Sequence, residues 1–248
     1  MRLHFLGIFA AIFLSVGSAY SAEIPAIAAA SDLKFAIEEI AARFTAESGK
    51  KLRLSFGSSG NFARQIEQGA PFELFLSADD SYVRRLVEKG LTRDEGRSYA
   101  TGRLAIVVPK NSQISLDEKL DGLRGAKINR LAIANPEHAP YGRAAEEILR
   151  NLGLWEKLKD HLVLGENVSQ AAQFAAGGST DGGIIAYSLV KAPGMAEKTR
   201  HQLISAELHK PLDQRMVLMK NAEMNAQLFF DYLQGPAARE ILASYGFR

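Results

Sequence analysis

Two adjacent serines stand between glycines in "FGSSGN" (residues 56–61), where the alternating run "KLRLSF" gives way to the helical pattern "NFARQIEQG". Hydroxyls and backbone N–H groups at a helix start can hold an anion. The same residue types also fill ordinary turns. Three more strand-to-helix turns have a similar character: Ser31-Asp32, then Tyr141-Gly142 in "NPEHAPYG", and Asn167-Val168-Ser169 in "GENVSQ". A helix start leaves about four N–H groups without intrahelical partners and carries a partial positive charge. Four such starts facing one cleft would surround a small ion with donors, and no lysine or arginine lies inside the turns. Neutral donors suit a fully ionised oxyanion better than one that keeps a proton and needs an acceptor.

Each residue has a plainer reading. Ser31 is a good N-cap before "DLKFAI", Ser58 and Ser59 fit a turn, Tyr141 fits a core, and Val168 is simply apolar. The repetition favours a site, because ligands of α/β sheets lie at the carboxyl ends of strands, where all four turns fall. Asp32 fits least well. A carboxylate beside a bound anion repels it, so its side chain is expected to turn away, capping or pairing with a base such as Lys34. Turned inward, it would accept a proton from hydrogen phosphate.

The elements that must position these turns are short apolar runs alternating with helical patterns, which indicates an α/β fold with mostly parallel strands. "IPAIAAAS" reads as a strand, and Leu33, Ile37, Ile40 and Phe44 then recur at helical spacing until Gly49. "FELFLSA", "RLAIANP", "LVLGEN" and "GGIIAYS" are further strands, and two helices close the chain, the second after Pro236. Two strong strands, 102–109 and 211–219, bracket the middle third. Strands crossing between two lobes would account for them, with a cleft between the lobes.

With 30 Lys+Arg against 28 Asp+Glu, interspersed, the 248 residues show no basic stripe for nucleic acid. There is no cysteine, which removes disulfides, thiol nucleophiles, cysteine-ligated metals and a lipid-modified cysteine anchor. Residues 1–22, with "FLGIFAAIFLSVG" after a basic start, read as a cleaved secretory signal. The mature chain is therefore expected free in the periplasm as a monomer.

Four segments in order, "AAASDLKFAIEEIAARF", "SFGSSGNFARQIEQGAPFELFLSADD", "ANPEHAPYG" and "YLQGPAAREILASYGF", resemble the periplasmic molybdate-binding proteins of ABC transporters, the ModA family. The resemblance runs from about Ile27 to the C-terminus and implies a type II periplasmic binding fold. In it, two α/β lobes joined by two crossover strands close on molybdate or tungstate. Expected boundaries are 23–105 with 216–248 for the first lobe and 106–215 for the second.

Carried over residue by residue, the resemblance implies an oxyanion held by Ser31, Ser59 and the backbone N–H groups of Tyr141 and Val168. Some members add a tyrosine hydroxyl after the strand matching "GGIIAYS". Here Ala186 takes that position and Tyr187 comes one later, so either Tyr141 compensates or the site has one donor fewer. Glu73, where the family usually has Asp, is expected to be remote from the ion. The implied partner is an inner-membrane ABC permease, with no cofactor and no catalysis. Sulfate, thiosulfate or phosphate remains an alternative ligand.

A secreted serine hydrolase is the enzymatic alternative. "GSSG" lacks the G-x-S-x-G elbow, however, and His138, the histidine best placed to face the serines, reads as a solvated loop residue.

Overall fold

The computed structural model describes residues 24–248, and the expected leader lies outside the described residues. The chain builds two five-stranded sheets, each with helices packed against it. The first sheet holds β1 (Ala26–Ala30), β2 (Arg53–Gly57), β3 (Leu74–Ser77), β4 (Arg97–Gly102) and β10 (Leu212–Leu218), in the order β2-β1-β3-β10-β4. The second holds β5 (Leu104–Pro109), β6 (Leu131–Ala134), β7 (Leu162–Gly165), β8 (Gly182–Ala186) and β9 (Thr199–Leu203), in the order β7-β6-β8-β5-β9. The chain passes from the first sheet to the second between Gly102 and Leu104 and returns between Leu203 and Leu212.

Both sheets follow one plan, and neither is mostly parallel. β1 pairs in parallel with β2 and β3, as β6 does with β7 and β8, while β10 and β5 run antiparallel to both of their neighbours. Strands that pair in parallel need a crossover connection, usually a helix. Those entering from the other lobe carry no such constraint.

Local packing follows the apolar pattern. Leu33, just before the first long helix (Lys34–Ser48), and Ile37, Ile40 and Phe44 within it are all buried, and Phe44 meets Phe229 edge to face at 5.2 Å. Each such side chain contributes roughly 1.5–3 kcal/mol through burial. Gly49 ends that helix at φ 69°, a left-handed conformation in which its N–H reaches the Thr45 carbonyl. β1, "AIAAA", is buried at every position, and small residues there leave room for helices on both faces. Among the described residues no helix is long and apolar enough to cross a membrane.

Candidate functional site

Four strand ends deliver the expected turns to one place. After β1, Ser31 opens a 3-10 turn, Ser31–Leu33; after β2, Ser59 is the first residue of the helix Ser59–Glu67. After β6, Tyr141 follows Pro140 at the start of the helix Pro140–Asn151; after β7, Val168 opens the helix Val168–Ala176. All four residues are buried and line a single small cavity at the junction of the lobes. First-turn N–H groups have no intrahelical acceptor, so the donors converge from both lobes. No lysine or arginine lines this cavity. A larger groove lined by Pro109, Lys127 and Asp181 shares no residue with it.

The serines do not cap. No side-chain cap bond forms at either helix start, so the capping reading of Ser31 fails. Instead Ser31 Oγ accepts the Ser169 N–H at 3.3 Å, and Ser59 Oγ accepts the Ala78 N–H at 2.9 Å. A hydroxyl oxygen already supplied with a donor keeps its own hydrogen to give, and among the described residues neither hydrogen meets an acceptor.

The lobes are closed on each other. Across the junction the Gly60 N–H donates to the His138 carbonyl at 2.9 Å, Ser169 Oγ donates to the Ser31 carbonyl at 2.8 Å, and Ser188 Oγ donates to the Asp32 carbonyl at 2.7 Å. Farther out, Arg143 pairs with Asp79 and donates to the Tyr82 hydroxyl at 2.6 Å, and Asn61 donates to Glu166.

The expected pairing of Asp32 with a base does not form. Lys34 pairs with Glu38 instead, one turn along its own helix. Asp32 is buried and lines the cavity, with Oδ2 accepting from the Tyr141 hydroxyl at 3.0 Å and from Gln214 Nε2 at 2.7 Å. Among the described residues its Oδ1 has no hydrogen-bond partner. Burial pushes its pKa up to about 6, against the opposing pull of the Gln214 and Tyr141 hydrogen bonds. With its hydroxyl committed to Asp32, Tyr141 does not replace the missing tyrosine donor. Tyr187 lies outside the cavity lining, with the Arg103 guanidinium 4.8 Å from its ring centre, and Ala186 is buried at the end of β8. Glu73 is remote, as expected, accepting the Glu223 N–H at 2.7 Å.

His138 is a second correction. It is buried, not solvated, with Nδ1 2.9 Å from Ser58 Oγ and Nε2 3.7 Å from Glu166 Oε2. Serine, histidine and carboxylate thus stand together, but the acid is beyond hydrogen-bond reach of the histidine. The contact ties one lobe to the other. Sequence reasoning also missed Gln214, although a signal was present: it is the polar residue between Leu212 and Met216 on the inward face of β10.

Fold and cavity together define a binding protein whose two lobes shut on a small guest. Residues 26–248 match the family of bacterial extracellular solute-binding proteins. The molybdate-binding protein ModA of Rhodobacter capsulatus is 37% identical over 242 residues, covering 96% of this chain and 94% of its own. The chain belongs to the ModA family. The periplasmic molybdate-binding protein of Azotobacter vinelandii superposes with a TM-score of 0.82 at 29% identity, over 90% of this chain and 98% of that one. The sulfate-binding protein SubI of Mycobacterium tuberculosis shares the fold, with a TM-score of 0.74 at 18% identity, over 91% of this chain and 86% of its own.

Proposed function

We propose that this protein captures molybdate or tungstate in the periplasm, after removal of its leader, and delivers it to an inner-membrane ABC permease as a monomer without a membrane anchor. The observation that carries the reading is the lining of the closed cavity: Ser31, Ser59, Tyr141 and Val168 bring helix starts from both lobes to one cation-free pocket. Ser31 and Ser59 donate hydroxyl hydrogens, and Tyr141 and Val168 donate backbone N–H groups. Because donors split between two lobes meet only when the lobes close, the ion draws the population toward the closed form. A permease then reads occupancy from shape. The names of the relatives favour molybdate over other tetrahedral dianions. The role is binding, not catalysis.

Sulfate is the second reading, favoured by the shared fold of the sulfate-binding protein. Calorimetric titration of the mature protein with molybdate, tungstate, sulfate and phosphate separates the two. Tight binding of the first pair and silence from the others is expected. Sulfate binding with no response to molybdate reverses the assignment, and binding of none of the four removes it.

A further inference from the structure

The pocket that gathers neutral donors also contains one carboxylate with an unused oxygen. Asp32 lines the cavity, is sealed from solvent, and leaves Oδ1 without a hydrogen-bond partner among the described residues. We propose that Asp32 is a working member of the binding site and that it holds a proton on Oδ1 whenever the pocket holds a doubly negative oxyanion, so that capture of the ion takes up a proton from solvent. This rests on the reading of the cavity as the oxyanion site.

The surroundings of Asp32 leave its charge without a counter-ion. The helix Pro140–Asn151 presents Tyr141, β10 presents the uncharged Gln214, and β4 presents Tyr99, whose hydroxyl lies 2.8 Å from Gln214 Oε1 and 3.0 Å from the Ser77 carbonyl. Burial and the nearby carboxylate hold both tyrosine hydroxyls well above their usual pKa, so they remain neutral donors. The helix Val168–Ala176 presents Ser169 to the neighbouring Ser31, and the short helix Tyr187–Val190 presents Ser188 to the Asp32 carbonyl. Lys34, the nearest base in sequence, is turned to Glu38. None of the hydrogen-bond partners of the Asp32 carboxylate is a lysine, arginine or histidine.

A dianion entering this enclosure would face a buried ionised carboxylate in surroundings that screen the repulsion far less than bulk water does. A proton on Oδ1 removes it. The arrangement has a place for that proton: Oδ2 already accepts two hydrogen bonds and suits the carbonyl-like oxygen of a neutral acid, while the idle Oδ1 becomes a hydroxyl. The carboxyl then joins the other neutral donors. Burial has moved Asp32 part of the way, its pKa standing at about 6 before any guest is considered. The charge balance is simple: one proton leaves the buffer for Asp32 as one dianion enters, and nothing is oxidised or reduced.

The test is titration of the mature protein with sodium molybdate at about pH 7.5, in two buffers of different ionisation enthalpy. Uptake of about one proton per ion is expected, with affinity falling about tenfold per pH unit above neutrality. In Asp32→Asn the uptake disappears and affinity becomes flat with pH. Molybdate binding without proton uptake in the unaltered protein overturns the inference alone, whatever the variant does. Undiminished uptake in a folded Asp32→Asn protein also overturns it. Absence of molybdate binding at every pH overturns the proposed function as well.

Discussion

The junction between the lobes has an inside and a rim, and they are built from different chemistry. Inside, hydroxyls and helix-start amides surround the cavity, with Asp32 as its single ionisable carboxylate. A few residues outward, the rim is charged: Arg143 pairs with Asp79, Glu166 takes Asn61, and the same carboxylate lies near His138. The difference separates two tasks. Rim charges sit where water can screen them and hold the lobes together without competing for the guest. Neutral interior donors favour a guest that offers acceptors on every side, since fixed N–H and O–H groups give nothing to a proton-bearing anion that must donate.

Closure itself is the most sensitive point of this contrast. A Cβ on Gly60 would lie 2.6 Å from the His138 carbonyl, a backbone atom of the opposite lobe. Gly60→Ala is therefore expected to weaken molybdate binding by roughly 3 kcal/mol, more than a hundredfold, through overpacking of the closed form. The same Cβ would lie 2.6 Å from the Tyr82 hydroxyl of its own lobe, so the thermal midpoint without ligand should stay level or fall slightly, the helix preference of alanine offsetting part of that contact. Unchanged affinity would break the geometry of the junction.

The interior comes next. Ser31→Ala and Ser59→Ala should each cost about 1.5–3 kcal/mol of binding, as the loss of a hydrogen bond to a charged guest, with the circular dichroism of the folded protein retained. Calorimetry reads the effect, and full affinity in both would remove the serines from the site. The rim should respond least. Arg143 is 41% exposed, and Arg143→Ala is expected to cost at most about 1 kcal/mol, mainly as faster release of the ion at low salt. A rim effect equal to that of the serines would erase the distinction between the two regions.

Much of this was legible from residue types. The buried face Leu33, Ile37, Ile40 and Phe44, the strand β1 and all four turns followed from periodicity and turn chemistry. β4, "RSYATG", and β9, "TRHQL", escaped notice because each is a polar strand at the edge of its sheet, exposed along part of its length and lacking an apolar alternation. The antiparallel pairings escaped for a related reason. They arise where the chain changes lobes, and no local pattern records the direction in which a strand arrives.

The sequence by itself determined which residues are available to hold an anion and where each stands at a strand end, because turn chemistry and helix starts are local. It could not determine what surrounds them. Asp32 meets Tyr141 and Gln214 across separations of 109 and 182 residues, and Ser58 meets His138 across 80. Only the closed tertiary structure brings those groups together and excludes water, and excluding water is what changes the charge a carboxylate can carry.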